Sequence, residues 1–219
     1  MKFGLLDFAG NPYIGVYCRV SDRYGILPDV YSSAKTSIEN GLGVEVVVSY
    51  VSESAVVGAM CAMSNAGVVV PALATPEEIA LLEKHMNVCV INDKLNACGN
   101  NILMNSKHAL LNPELGKKTA KQIHDVLGVE TMYGTIAGVK TVGMCALIND
   151  SVMLVHPKIK PEEKKKLKDF FGVKIFECTA NFGVPYVGAC TLMNAHGALI
   201  GSKSTPVELM KIQEALLSP

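Results

Sequence analysis

The sequence predicts an α/β fold: a five-fold pseudo-symmetric α/β propeller, one domain over residues 1–219. Three observations carry this. One short pattern recurs five times, its anchoring glycines Gly15, Gly58, Gly99, Gly143 and Gly188 separated by 43, 41, 44 and 45 residues. A helical pattern and then a strand pattern follow the later copies. The last copy lacks its closing strand, and the chain's first residues have one to spare.

The recurring segments run 14–28, 57–71, 98–113, 142–157 and 187–201. Each opens on an apolar residue and glycine, and places Cys or an apolar residue two or three positions later. A polar residue follows, read as Asp22, Asn65, Asn105, Asn149 and Asn194, then a second apolar run ending near Pro or Gly. Two apolar runs around a polar turn predict a β-hairpin. Asn suits the turn because it tolerates positive φ and can hydrogen-bond its own backbone.

Helices come next. Thr75-Pro76-Glu77-Glu78 and Thr205-Pro206-Val207-Glu208 each place Thr at the N-cap, Pro at the first helical position and Glu where a capping box needs it. Ile79, Leu82 and Met86 then share one face, as do Ala120, Ile123 and Leu127, and Leu209, Ile212 and Leu216. Leu167, Phe170 and Phe171 serve the fourth copy. One apolar stripe per helix predicts that each lies against a sheet. Strands are expected at 44–51, 88–91, 129–132 and 173–176, and the N-terminal 3–6 supplies the fifth. That strand closes the ring and removes an exposed sheet edge.

Composition narrows the function. Twenty basic and twenty acidic residues cancel, which excludes a nucleic-acid binder driven by bulk charge. The chain is 49% apolar and 18% charged, unlike a disordered protein. No run of 18 apolar residues exists, so no membrane partner is expected, and with the charges balanced no DNA partner is expected either. The N-terminal stretch lacks a signal peptide's apolar core, and a cytoplasmic protein is expected. Seven cysteines, with no C-x-x-C, fit neither a disulfide framework nor structural zinc. The five histidines show no metal-ligand spacing, no phosphate-binding loop is present, and no cofactor is expected. Lys164, Lys165, Lys166 and Lys168 sit among Glu162, Glu163 and Asp169, which reads as a solvated helix face more than a phosphate contact. His156-Pro157 reads as a turn.

Longer motifs then carry a resemblance. VGAMCAMSNAGVVVP (57–71), ACGNNILMNSKHALLNPEL (97–115), GTIAGVKTVG (134–143), LVHP (154–157) and CTANFGVPYVGACTLMNAHGALIGSKSTPVEL (178–209) resemble the archaeal form of the translation initiation factor six family, the ribosome anti-association factors. The resemblance spans essentially the whole chain and is weakest in the first copy. Cys178 stands where members usually carry Gly, and Cys98 where A-L-G-N has Leu.

That resemblance implies the pentein fold and a monomer that acts without catalysis. It implies docking on the large ribosomal subunit, near a ribosomal protein and the sarcin-ricin rRNA loop, so that occupancy excludes the small subunit. A role in ribosome biogenesis is implied too. The family's contact segments map onto Gly99 and Asn100, and onto Asn65, Asn105 and Ser106. Eukaryotic members carry Arg directly after the second-copy glycine; here it is Ala59.

Two other readings compete. Pentein enzymes modify guanidines with a Cys nucleophile and a His, and Cys190 with His196 is the pair to test. Against it, Cys18, Cys61, Cys145 and Cys190 recur at similar repeat positions, which suits core packing. A scaffold unrelated to ribosomes would share the repeats but not the full-length motifs.

Overall fold

The computed structural model describes residues 1–218. The chain opens with β1 (Lys2–Leu6). The first repeat follows as α1 (Ile14–Tyr17), β2 (Arg19–Val20), β3 (Tyr24–Leu27), a 3-10 segment (Asp29–Ala34) running into α2 (Lys35–Leu42), and β4 (Glu45–Val48). The second is α3 (Val57–Met60), β5 (Ala62–Ser64), β6 (Gly67–Pro71), α4 (Pro76–Glu83) and β7 (Val88–Ile91). The third is α5 (Cys98–Asn101), β8 (Ile102–Met104), β9 (His108–Leu111), α6 (Lys117–Leu127) and β10 (Glu130–Tyr133). The fourth is α7 (Val142–Cys145), β11 (Ala146–Ile148), β12 (Val152–Val155), α8 (Pro161–Phe171) and β13 (Lys174–Glu177). The fifth is α9 (Val187–Cys190), β14 (Thr191–Met193), β15 (Gly197–Gly201) and α10 (Pro206–Leu217).

Each repeat contributes an antiparallel hairpin, and the first four also contribute a third, parallel strand. In the fifth sheet the parallel strand is β1, whose Lys2 to Leu6 lie opposite Gly197 to Gly201. The hairpins differ from expectation in their first arm. It is a helical turn of four residues followed by a strand of only two or three. The glycine sits in that helical turn, where backbone approaches backbone.

Five apolar clusters form, and each straddles two neighbouring repeats. Leu82 of α4 packs with Ile26 and Val47 of the first sheet. Leu167 and Phe171 of α8 pack with Leu103 and Leu110 of the third. Ile38 and Leu42 of α2 pack with Leu192 and Leu199 of the fifth. A helix thus covers the sheet of the preceding repeat, and no repeat encloses a core of its own.

Carboxylates fasten the loops that lead into the helical turns. Thr75 and Thr205 cap α4 and α10 in the expected capping boxes. Glu208 also reaches beyond its own helix. Its carboxylate accepts from Thr179 Oγ1 (2.8 Å), Gly183 N (2.8 Å), Phe182 N (3.2 Å), Thr205 N (2.7 Å) and Thr205 Oγ1 (2.9 Å). Asn181 and Phe182 both have positive φ there, and Phe182 is exposed. Burial alone would raise the Glu208 pKa, but these donors outweigh it and hold the carboxyl at about 2. Glu78 and Glu163 hold their loops in the same way. In the third repeat the roles reverse: Asp93 of the loop accepts from Gly116 N and Thr119 Oγ1 of the helix start.

Candidate functional site

The ring closes on its axis through the five helical turns. α1 touches α3 and α9, and α5 and α7 complete the circuit. A Cβ on Gly15, Gly58, Gly99, Gly143 or Gly188 would run into the carbonyl oxygen of the glycine before it, Gly188, Gly15, Gly58, Gly99 or Gly143 respectively. Only glycine permits that approach. Arg19 lies at the centre, buried at 9% exposure. Its Nε donates to Gly58 O (2.7 Å) and one terminal nitrogen to Gly99 O (3.0 Å). Burial lowers its pKa without giving it a carboxylate partner. The other repeats hold Ala62, Leu103, Leu147 and Leu192 at this position, each opposite the matching residue of the next strand. Nothing in the sequence pattern marks Arg19; only its placement does.

Gly99 and Asn100 belong to this end of the ring. Gly99 is sealed inside the glycine circle and is structural. Asn101 is buried, donating to Ala97 O (2.9 Å) and accepting from Asn112 (2.6 Å). Asn100 is half-buried, and its amide has no protein hydrogen bond among the described residues. Its counterparts after the other glycines are Val16, Ala59, Met144 and Ala189. Among these five equivalent positions Asn100 alone carries a polar side chain.

Asn65, Asn105 and Ser106 lie at the opposite end of their hairpins, beyond β5 and β8. One strand of three residues, roughly 10 Å, separates Asn100 from Asn105. The predicted site residues therefore fall into two groups that do not share a face. The turn register also needs correction. Ser21, Ser64, Asn105, Asn149 and Asn194 are the equivalent positions, because each side chain accepts from the N–H two or three residues on. Asn65 aligns with Ser106, one residue further along. Asn105 is buried and committed to its turn. Asn65 is exposed and exchanges hydrogen bonds with Asp22, at 2.9 and 2.6 Å. Ser106 N donates to Asp150 (3.0 Å). These turns rim a small well whose deeper part, about 40 Å³, ends on Arg19.

The cysteines do not form one matched set. Cys18 and Cys61 lie three residues after their glycines, Cys145 and Cys190 two. All seven are buried. Burial pushes the Cys190 thiol up to about 12, the opposite of an activated nucleophile. Cys190 precedes β14, and His196 is exposed in the turn after it. The strand separates them, so no dyad exists. His156 acts as the expected turn residue, accepting from Lys158 N (3.0 Å). Lys164 and Lys165 pair with Glu177 and Asp169. Among the described residues no three His, Cys, Asp or Glu side chains gather to hold a metal, and no helix is long and apolar enough to cross a membrane.

The family model described as eIF-6 family matches residues 4–215. The chain belongs to the eIF-6 family. Curated relatives agree with that membership. Translation initiation factor 6 of Picrophilus torridus is 39% identical over 212 residues, covering 96% of this chain and 98% of that one. Translation initiation factor 6 of Pyrococcus horikoshii is 35% identical over 224 residues, covering 99% of each. Among solved structures, DDAH from Pseudomonas aeruginosa complexed with citrulline matches at a TM-score of 0.46 and 13% identity, over 91% of this chain and 71% of that one. The five-sheet architecture of the family member described here is that of a pentein.

Proposed function

We propose that the chain is a translation factor that binds the large ribosomal subunit and keeps the small subunit from joining. The mechanism is occupancy: no bond is made or broken, and the bound ring excludes the second partner. Family membership supports the class of function. The unpaired amide of Asn100 supports the surface, since it offers a donor and an acceptor without giving up an internal bond. Docking runs through the helical-turn face, with Asn100 flanked by Ala59 and Met144 of the neighbouring turns. Gly99 contributes by keeping that face flat. Asn65, Asn105 and Ser106 lie outside this footprint. A ring tied at every junction loses little conformational freedom on docking. The partners are a ribosomal protein and the nearby sarcin-ricin loop, engaged by a cytoplasmic monomer that also serves late subunit maturation.

Co-sedimentation with isolated large subunits, followed by a subunit-joining assay, tests the proposal. Binding with slowed joining is expected. Failure to bind, or binding without slower joining, refutes it. Asn100→Arg should weaken binding by roughly ten-fold or more at an unchanged melting temperature. Unchanged affinity would remove Asn100 from the interface.

A further inference from the structure

The twenty basic residues include only two arginines, Arg19 and Arg23, both in the first hairpin. The ring centre consumes Arg19. Arg23 is exposed, and its guanidinium carbon lies 5.5 Å from the centroid of the Tyr24 ring. Among the described residues its side-chain N–H groups have no hydrogen-bond or carboxylate partner; only its backbone takes part in the turn. A guanidinium seated over an aromatic ring is restrained there while its N–H donors stay available to a ligand.

Arg23 borders a groove of about 350 Å³ between the first and second repeats, walled also by Tyr24, Asn65, Lys84, His85 and Asn87. His85 meets the Tyr24 ring edge-on, with centroids 5.4 Å apart. Its Nδ1 is 3.8 Å from Glu45 Oε1. Lys84 is exposed and takes part in no ion pair among the described residues. Glu83 is the carboxylate in the lining. Two permanent cations and one carboxylate therefore line the groove, with Glu45 behind the His85 imidazole and Asp22 tied to Asn65. The volume lies in the range of small-molecule sites and exceeds what a bare phosphate fills.

We propose that this groove binds a nucleotide, with its phosphate on Arg23 and Lys84 and its base against Tyr24 and His85. A planar fork beside an ammonium suits a tetrahedral dianion. An aromatic wall accepts a base without regard to its sequence. The groove opens at the hairpin-turn end of the ring, away from Asn100, so this assignment holds whether or not ribosome docking does. A free mononucleotide and one residue of an RNA strand present the same chemistry.

Titration of isotope-labelled full chain, followed by NMR, tests the assignment. The probes are adenosine monophosphate, uridine monophosphate, a short oligouridylate and inorganic phosphate. Shifts confined to Arg23, Tyr24, Lys84 and His85 are expected. Arg23→Ala should weaken nucleotide binding about ten-fold, and Arg23→Lys should restore it only in part. Both variants should melt with the parent, because Arg23 is exposed. Tighter binding of the oligomer identifies an RNA strand as the source; equal binding identifies the free nucleotide. The assignment falls if millimolar nucleotide and oligomer leave the groove unshifted. It also falls if Arg23→Ala binds at full affinity, or if inorganic phosphate binds as tightly as the nucleotides.

Discussion

Glu208→Gln removes the charge from the most heavily bonded carboxylate in the ring. Five donors converge on it, from Thr179, Phe182, Gly183 and twice from Thr205. Glutamine keeps one acceptor but turns an NH2 group toward those donors. Lowering of the pKa from 4.5 to about 2, at about 1.4 kcal/mol per unit, sets the ionised form's contribution at roughly 3 kcal/mol. For a chain of this size that corresponds to a fall in melting temperature of about 6–12 °C. The value is depressed on folding, so the contribution is full above the unfolded value of 4.5 and is lost as pH falls toward 2. Urea unfolding followed by far-ultraviolet circular dichroism reads it, since the chain has no tryptophan. The gap between parent and variant should be widest at neutral pH and shrink on acidification. A gap under about 0.5 kcal/mol at neutral pH, or one that persists undiminished in acid, would refute the reasoning.

Gly58→Ala drives a methyl into the Gly15 carbonyl and should cost more than about 3 kcal/mol or yield insoluble chain, read by expression and thermal melting. Arg19→Ala strands the Gly58 and Gly99 carbonyls and should destabilise by about 2–4 kcal/mol in the same urea assay. Asn105→Ala removes the acceptor of two turn N–H groups; stability should fall by about 1–2 kcal/mol while affinity for large subunits stays constant. Cys190→Ala should leave subunit joining blocked as before, and the seven buried thiols should resist a thiol-modifying reagent until urea unfolds the chain.

The architecture was legible because glycine spacing repeats with hardly any drift. Those glycines mark the one place where backbones meet on the axis, and no other residue substitutes there. The capped helices were legible where Thr-Pro-x-Glu stands. The first repeat has no such signal, and its helix α2 emerges from a 3-10 segment with no side-chain cap. Periodicity also hid the helical turn at the start of each hairpin, since four residues are too few to show a 3.6 period. The turn register slipped in the first two repeats because Ser21 and Ser64 do the work of Asn, while Asp22 and Asn65 imitate it one position later. That slip mixed buried turn residues with exposed ones in the site. Spacing along the chain could not show that Asn100 and Asn105 lie at opposite ends of β8. Arg19 was invisible for a related reason: its meaning comes from three repeats converging on one point.

The pairing of β1 with β15 has a consequence for synthesis. β1 leaves the ribosome before the five repeats, yet its partner β15 is the last of the ring's strands to follow. The apolar cluster of Ile14, Leu27 and Ile38 also needs Leu192 and Leu199. β1 and the first repeat therefore wait, unfinished, until the fifth repeat has been made. Assembly cannot proceed strictly from N- to C-terminus, and the slow, long-range step comes at the end. A premature stop before β15 would not simply subtract one repeat. It would leave both ends of the chain with bare apolar surface, which makes truncated products natural substrates for chaperones and proteases.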